Sequence, residues 1–234
     1  MQPQQDPEFV RQTFSSISKR YDFANHLLSG GIDFFWRRTV AGLVAKSRPR
    51  TILDLATGSG DLAIVIQKSC PSAQVVGADF CFPMLEEAAR KNVPRLVQAD
   101  GLRLPFPAAS FDVVTVAFGL RNMASWPEAL REMSRVLRPG GSLFVLDFSL
   151  PENALLRPLY RLYLHRILPT IAGWATGQPE AYRYLGESIE AFPRGRKMNA
   201  LIESCGFQCK PFRLMCLGIV SLYVAERNSL SNSV

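Results

Sequence analysis

Residues 51–61 read TILDLATGSGD, a mostly apolar run that passes into a turn with two glycines. The run Thr51–Ala56 predicts a strand buried on both faces, as strands are in a parallel sheet covered by helices. Gly58 and Gly60 break the chain, and a helical pattern follows over Leu62–Lys68. A strand, a glycine turn and a helix in this order predict the opening of a βαβ unit.

The alternation of strands and helices continues to residue 148. Further strands are predicted at Gln74–Asp79, Arg95–Ala99, Phe111–Phe118 and Ser142–Phe148, with helices at Pro83–Lys91 and Pro127–Leu137. Such alternation predicts right-handed crossovers and a parallel sheet with helices on both faces. Two later runs, Phe207–Arg213 and Cys216–Glu226, are too close in sequence for a helical crossover, so we expect them to pair antiparallel at a sheet edge. The predicted fold is α/β, a Rossmann-like doubly wound sheet with an antiparallel C-terminal edge strand.

Helical patterns precede the sheet and interrupt it. Residues 6–46 carry apolar side chains at spacings of three and four, which predicts an N-terminal helical extension. Residues 151–196 are rich in aromatic residues and prolines and predict a helical insertion before the last elements. We therefore expect a helical lid at 1–46 and a main domain at 47–230.

Composition excludes several classes of protein. Of the 234 residues, 47% are hydrophobic and 20% are charged, so the chain can bury a core and is neither disordered nor fibrous. The longest apolar stretch, Leu214–Ala225, is shorter than the ~20 residues of a spanning helix, and the N-terminus lacks the pattern of a secretory signal. The five cysteines and two histidines show no zinc-binding spacing, so we predict no metal. We expect a cytoplasmic protein.

The charge of the chain leaves several partners open. The net charge of +7 suits nucleic acid, an anionic lipid surface or an acidic ligand, but the basic residues are scattered and form no DNA- or RNA-reading motif. We therefore predict no nucleic-acid partner, and a homodimer stays open. Arg157, Arg161 and His165 recur at a spacing of four, which places them on one side of a helix. They predict peripheral contact with an anionic membrane at its inner face, unless this is an ordinary surface helix packed on the domain.

Acids and glycines follow three consecutive predicted strands. In an open parallel sheet, ligands bind beyond the carboxyl ends of the strands. Asp79 ends the second strand and can accept hydrogen bonds from both hydroxyls of a ribose, and Asp100 after the third strand can receive an adenine amino group. Gly58 and Gly60 let the backbone approach a ligand closely. Together they predict an adenosine pocket, although each acid also suits a helix cap or a turn.

The glycine turn alone does not separate a methyl donor from nicotinamide. Gly58, Gly60 and Ala63 also satisfy the looser dinucleotide fingerprint, which leaves an NAD-dependent oxidoreductase open. The helical segment before the first strand and the antiparallel pair at the end of the sheet favour another class. These features, and the segment Arg135–Gly141 that leads into the fifth strand, resemble class I S-adenosylmethionine-dependent methyltransferases.

Three segments are much narrower than the glycine turn. They are Lys19–Asp22 (KRYD), Phe118–Asn122 (FGLRN) and Tyr182–Ile189 (YRYL-x-x-SI). With them, the chain from Phe14 to Ala225 resembles the UbiE/MenG/COQ5 family of C-methyltransferases of menaquinone and ubiquinone biosynthesis. The resemblance implies transfer of a methyl group from S-adenosyl-L-methionine to a ring carbon of a polyprenylated quinol. Demethylmenaquinol, which we favour, a methoxy-polyprenyl-benzoquinol and a phytyl-naphthoquinol all stay open as the acceptor, as does a cofactor-binding scaffold without turnover.

The same resemblance implies a set of cofactor contacts. They fall on the glycine turn and on acids and small residues after the strands: Gly58, Ser59, Gly60, Asp79, Asp100, Gly101 and Ala117. The family often has threonine at the position of Ser59, which keeps the hydroxyl. Some members have serine at the position of Ala117, whereas alanine in this chain allows only a contact through the backbone.

Methylation at a ring carbon needs a phenolate but no metal. Loss of a phenolic proton moves electron density onto the neighbouring carbon, which attacks the methyl group. The phenol has a pKa near ~10, and a nearby cation favours its charged form. Arg121 follows the fourth strand at the predicted cofactor edge, so we expect it to polarise or orient the quinol oxygen with support from Asn122. The alternative is an arginine that holds its own loop through hydrogen bonds to carbonyls.

Three tyrosines complete the candidate site. Tyr21 of the predicted lid can cap the quinol ring or relay a proton as a catalytic residue. Tyr182 and Tyr184 can line the mouth of the site and contact the substrate. Packing alone also explains each of the three.

Overall fold

The computed structural model describes residues 31–170 and 179–229, together with Glu8. Its strands are β1 (Thr51–Leu55), β2 (Gln74–Asp79), β3 (Leu96–Gln98), β4 (Phe111–Ala117), β5 (Leu137–Phe148), β6 (Phe207–Cys209), β7 (Arg213–Met215) and β8 (Val220–Arg227). Its α-helices are α1 (Asp33–Lys46), α2 (Asp61–Ser69), α3 (Phe82–Arg90), α4 (Trp126–Val136), α5 (Leu156–Leu162), α6 (Pro179–Ala191) and α7 (Arg196–Glu203). Short 3₁₀-helices lie at Leu120–Asn122 and Cys216–Gly218, and a π-helix at Tyr163–Ile167 continues α5.

The strands form one sheet in the order β3-β2-β1-β4-β5-β8-β6, and β7 also pairs with β8. The first five strands are parallel, whereas β8 is antiparallel to β5. The chain winds outward from β1 to β3 and then returns to β4 on the other side of β1, so the strand order reverses between β1 and β4. The predicted doubly wound α/β sheet with an antiparallel C-terminal strand is confirmed.

The C-terminal strands differ in detail from the prediction. Of the run expected as one strand, Phe207–Arg213, only Phe207–Cys209 forms a strand, β6, and the next strand, β7, begins at Arg213. Both β6 and β7 pair antiparallel with β8. Pro211 lies in the break between them. Because proline has no N–H to donate to the neighbouring strand, the ladder is interrupted there.

The segment Arg138–Gly141 (RPGG) follows the helix predicted at Pro127–Leu137, and its proline and glycines predict that the helix stops there. In the structure this segment lies within β5. Leu137 already pairs with Phe111, and pairing resumes at Ser142 with Val113. The intervening residues form a bulge, in which Gly140 adopts a φ of +75° that favours glycine. The segment therefore stops the helix, as predicted, but without leaving the sheet.

Successive residues of β1 belong to cores on opposite faces of the sheet. Ile52 packs in one cluster with Trp36 and Val40 of α1, and Leu53 packs in the other with Leu130 of α4. Each of these side chains is at most 4% exposed. Burying an apolar side chain of this size contributes about 1.5–3 kcal/mol. Burial on both faces explains why the strand is apolar on both sides, with Asp54 as its one buried charged residue.

The helices that follow β5 enclose a smaller apolar cluster, called the helical cluster below. Its buried members are Leu150, Leu164, Leu168, Tyr182 and Ile189. These helices occupy the range of the predicted insertion at 151–196, and the division of the chain into a lid and a main domain stays a prediction. Of the predicted lid, the described part is essentially α1. No helix within the described ranges is long and apolar enough to cross a membrane.

Candidate active site

A cavity opens at the edge of the sheet where β1, β2 and β4 end. It has an empty volume of about 900 Å³ and is partly open to solvent. Its walls consist of Leu55, Ala56, Gly58, Asp79, Phe80, Cys81, Met84, Ala99, Asp100, Gly101, Leu102, Ala117, Phe118, Gly119, Asn122, Met123 and Ala124. The strand order reverses at this point, which is where open α/β sheets bind ligands. Of the predicted cofactor contacts, Ser59 and Gly60 are absent from these walls.

The turn after β1 needs glycine for two different reasons. Gly58 has a φ of +57°, and a Cβ built on it would meet no atom within 4 Å, so only the backbone conformation favours glycine there. Gly60 has a φ of +83°, and a Cβ on it would lie 2.5 Å from Cγ2 of Val93. Gly60 therefore also allows close packing at the start of α2. Ser59, between them, is 3% exposed.

The Asp79 carboxylate is fixed at the cavity wall by two backbone donors. The N–H of Gly58 donates to Oδ2 and the N–H of Cys81 donates to Oδ1, each at 2.8 Å. Each carboxylate oxygen keeps a lone pair for a further donor. Burial raises the pKa of Asp79, and these backbone hydrogen bonds oppose the rise. Asp79 is thus an acceptor of fixed orientation.

Asp100 stabilises a turn, which was one of its two predicted roles, and it also lines the cavity. Its Oδ1 accepts a hydrogen bond from the N–H of Leu102 at 2.9 Å. Gly101 lies against Met123, because a Cβ built on it would be 3.0 Å from the Met123 sulfur. The cavity therefore has the carboxylates of Asp79 and Asp100 next to apolar side chains such as Phe80 and Met123.

The guanidinium of Arg121 is buried and bound to its own surroundings. Nη1 donates to the carbonyl of Phe118 at 2.6 Å and to Oδ1 of Asp147 at 2.7 Å. Its Cζ lies 5.4 Å from the ring centroid of Phe148. These contacts are those of the loop-holding alternative. Nε is also buried, and it has no hydrogen-bond partner within the described part of the chain.

Asn122 lines the cavity and connects it to α6. Its Oδ1 accepts a hydrogen bond from the Tyr184 hydroxyl at 3.2 Å, and its Nδ2 donates to the carbonyl of Phe118 at 3.4 Å. Burial raises the pKa of Tyr184 to about 12, so its hydroxyl stays protonated at neutral pH. Tyr182, by contrast, is 6% exposed and packs in the helical cluster. Tyr21 lies outside the described residues.

Residues 1–227 match the model of the ubiE/COQ5 methyltransferase family. The chain belongs to the ubiE/COQ5 methyltransferase family. This membership confirms the predicted enzyme class, an S-adenosylmethionine-dependent methyltransferase, and the cofactor is S-adenosyl-L-methionine. The NAD-dependent alternative is not supported.

Relatives in the ubiE/COQ5 family cover almost the whole chain. A demethylmenaquinone methyltransferase of Thermus thermophilus is 46% identical over 219 residues, which are 92% of this chain and 99% of the relative. One of Deinococcus radiodurans is 41% identical over 223 residues, 93% of this chain and 92% of the relative. The crystal structure of a SAM-dependent methyltransferase from Aquifex aeolicus has a TM-score of 0.57 at 17% identity, covers 80% of this chain and 89% of its own, and shows the shared fold.

The cavity fits the cofactor of the ubiE/COQ5 family. An adenosyl group presents two ribose hydroxyls and a flat, largely apolar base. The oriented carboxylate of Asp79 supplies acceptors for hydroxyls, and Phe80, Leu102 and Met123 supply apolar surface for a base. Which residue contacts which cofactor atom stays a prediction, and for Ser59 such a contact finds no support in the cavity lining.

Sequence reasoning missed Asp147, the partner of Arg121. Its side chain is 1% exposed and lies 2.7 Å from the guanidinium. Burial raises the pKa of Asp147, and the charge of Arg121 opposes the rise. Asp147 lies one residue before the end of β5, at the same sheet edge as Asp79. The strand-end rule that selected Asp79 could have found it.

The charged residues of α5 and its π-helical extension contact the protein itself. Arg161 Nε lies 2.8 Å from Oε1 of Glu190, and His165 Nε2 lies 3.3 Å from the same oxygen. Arg157 Nε donates to the carbonyl of Pro151 at 3.0 Å. These contacts are those of a surface helix packed on the domain, the alternative to an electrostatic membrane contact.

Proposed function

We propose that the protein methylates the ring carbon of demethylmenaquinol, with S-adenosyl-L-methionine as the donor. The observation that carries the proposal is the similarity to relatives named for that activity, over 92% and 93% of the chain. The surroundings of the cavity support an aromatic acceptor. The ring centroid of Phe118, which lines the cavity, lies 4.6 Å from that of Phe148 and 5.8 Å from that of Trp36.

S-adenosyl-L-methionine, when bound, supplies an electrophilic methyl group. The chain's own part is to align donor and acceptor and to exclude water, which can lower a barrier by about 7–11 kcal/mol. We assign the cofactor side to the lining residues Gly58, Asp79, Asp100, Gly101 and Ala117. The acceptor side is assigned to the segment Phe118–Asn122, which follows β4 at the same edge of the sheet.

On the acceptor side, we assign the contact with a quinol oxygen to Asn122 and Arg121. Asn122 lines the cavity, and the buried Nε of Arg121 is a donor left over after its contacts with Phe118 and Asp147. Asp147 offsets much of the charge of Arg121. A hydrogen bond donated by Nε to the quinol oxygen should therefore matter more than the positive charge of the side chain. For Tyr21, which lies outside the described residues, both predicted roles stay, capping the quinol ring or relaying a proton.

A polyprenylated acceptor partitions into a bilayer, so we further propose that the apolar side of α5 touches a membrane. Leu155, Leu159 and Leu162 recur at helical spacing and are 79%, 64% and 54% exposed. Apolar side chains at this spacing form a stripe that can enter the lipid interface. Because Arg161 is paired with Glu190, we expect apolar area to contribute more than charge.

The test is a methyl-transfer assay with labelled S-adenosyl-L-methionine and reduced, short-tailed acceptors. Demethylmenaquinol should be methylated with a higher kcat/KM than a methoxy-benzoquinol or a phytyl-naphthoquinol. Cofactor binding is measured separately by thermal shift, with NAD as the control ligand, because a ligand of the native state raises its Tm. Binding without turnover on any quinol would leave a scaffold and overturn the proposal.

A further inference from the structure

Two tyrosines outside the predicted site residues form a stacked pair near the segment assigned to the acceptor. Tyr160 of α5 and Tyr163 of the π-helix have ring centroids 6.0 Å apart and an interplanar angle of 19°. Both pack on the helical cluster, and so does Phe148, the ring that lies under the Arg121 guanidinium. The pair therefore belongs to the same aromatic surroundings as Arg121.

Neither tyrosine uses its hydroxyl within the described part of the chain. No hydrogen bond joins the Tyr160 or Tyr163 hydroxyl to a protein atom there, although both side chains are partly buried. A phenol in such a position usually finds a partner. The buried Nε of Arg121 is a further donor without one. A quinol has a flat ring and oxygen atoms. The aromatic surface can pack against such a ring, and the tyrosine hydroxyls and the Arg121 Nε can donate hydrogen bonds to its oxygens.

The ionisation of Tyr160 agrees with a role as a donor. Burial raises its pKa well above the usual range, the charge of Tyr163 adds to the rise, and the positive charge of Arg121 opposes it. Tyr160 thus stays a neutral phenol at physiological pH. It can donate a hydrogen bond but cannot act as a base.

We propose that Tyr160, stacked on Tyr163, is an acceptor-binding residue whose ring forms a wall of the quinol site and whose hydroxyl donates to a quinol oxygen. The inference rests on the proposed function and specifies its acceptor side. A wall of two stacked rings offers more contact to a fused bicyclic quinol than to a single ring. Tyr160 therefore also contributes to the preference for a naphthoquinol over a benzoquinol.

Two substitutions separate the hydroxyl from the ring. Tyr160→Phe keeps the ring and should raise the KM for demethylmenaquinol about fivefold, the size expected for one lost hydrogen bond. Tyr160→Ala removes the wall and should raise that KM about tenfold or more, with a smaller rise for the benzoquinol. Neither should change the KM for S-adenosyl-L-methionine, and Tyr160→Phe should not change the Tm.

Leu168→Ala is the matched control, since Leu168 is buried in the same cluster but carries no polar group. It should lower the Tm and leave the ratio of the two quinol KM values unchanged. If the wild-type chain methylates demethylmenaquinol and both Tyr160 variants keep its quinol KM values, the inference is overturned while the proposed function stands. If the wild-type chain methylates no quinol, the proposed function fails and the inference with it.

Discussion

Gly119 lies so close to Ala56 that a Cβ built on it would be 2.3 Å from the Ala56 Cβ. Gly119 and Ala56 follow the neighbouring strands β4 and β1, and both line the cavity. Phe118, just before Gly119, has a φ of +59°, so the chain turns sharply there. The close approach keeps Phe118, Gly119 and Asn122 of the segment Phe118–Asn122 at the cavity wall.

Gly119→Ala should therefore weaken cofactor binding and turnover together. The added methyl group must displace the segment that follows, and overpacking of this kind costs about 1–3 kcal/mol of unfolding free energy. Chemical denaturation and calorimetric titration with S-adenosyl-L-methionine measure the two effects. Gly42→Ala on α1 is the control, because a Cβ there meets no atom within 4 Å and should stabilise the helix by about 0.5–1 kcal/mol. A Gly119→Ala protein as stable and as active as wild type would contradict the argument.

The fold could be predicted because its core strands are apolar on both faces. Thr51–Ala56 and Gln74–Asp79 carry that signal within themselves, and the structure has strands there. The errors lie where pairing depends on distant residues. The bulge in β5 exists because Leu137 pairs with Phe111, and the split of β6 from β7 is visible only against β8. Local patterns do not contain these partners.

In the candidate site, too, some residues could be predicted from the local sequence and others could not. The rule that ligands bind at the carboxyl ends of strands selected Asp79 and Asp100 from the sequence alone, and both residues line the cavity. The partner of Arg121 is Asp147, 26 residues away on the neighbouring strand, and that contact follows from the sheet order. Tyr163, the ring on which Tyr160 stacks, begins the π-helix after α5, and apolar spacing does not reveal that element.

Asp54 of β1 should make stability depend on pH. Its carboxylate is 1% exposed and accepts hydrogen bonds from the hydroxyls of Thr57 at 2.7 Å and Thr115 at 2.6 Å. Burial raises the pKa of Asp54 from 3.8 to about 6, and these hydrogen bonds oppose the rise. The folded state thus holds this proton more tightly than the unfolded state. The Asp54 contribution to the unfolding free energy is therefore greatest below about pH 4 and is lost as the pH rises to about 6.

Asp54→Asn removes this titration. The unfolding free energy of the variant minus that of the wild type should grow from about pH 4 to about pH 6 and then stay constant. The pKa values of Asp79 and Asp147 are also raised, but both residues are present in the two proteins, so the difference reports Asp54 together with its charge interaction with Asp79. Urea denaturation at closely spaced pH values measures this difference in unfolding free energy. A flat difference would show that folding does not raise the pKa of Asp54.

The proposed membrane contact predicts an effect of apolar area rather than charge. Leu155→Ser with Leu159→Ser should reduce co-sedimentation with lipid vesicles about tenfold, since each exposed leucine can bury apolar surface in the interface. Arg161→Gln, which removes an ion-paired charge, should leave binding unchanged in both neutral and anionic vesicles. Binding that falls steeply with salt and with Arg161→Gln would instead favour the electrostatic version.

The ion pair of Arg121 and Asp147 allows a test of whether the arginine holds a loop or contacts the acceptor. Both side chains are buried, at 5% and 1% exposure, so removing either partner leaves a buried charge without compensation. Arg121→Met or Asp147→Leu alone should therefore cost about 3–5 kcal/mol of unfolding free energy. The double variant removes both charges and should recover most of that loss, because an apolar pair of similar volume replaces a buried ion pair at little cost.

Turnover of the double variant then separates the two roles of Arg121. If the side chain only holds its loop through Phe118 and Asp147, a folded double variant that binds S-adenosyl-L-methionine should regain much of its kcat. If the Nε of Arg121 donates to the quinol oxygen, kcat should stay about 100-fold or more below wild type at unchanged cofactor affinity. A loss of that size is expected when a catalytic hydrogen-bond donor is removed.

The single variant Arg121→Lys, with Asp147 kept, is a further test. A lysine keeps the charge but has no Nε in that position, so it should rescue the Tm more than the kcat. Full recovery of kcat by the double variant would remove Arg121 from the acceptor site and leave Asn122 as the residue of that segment in contact with the quinol.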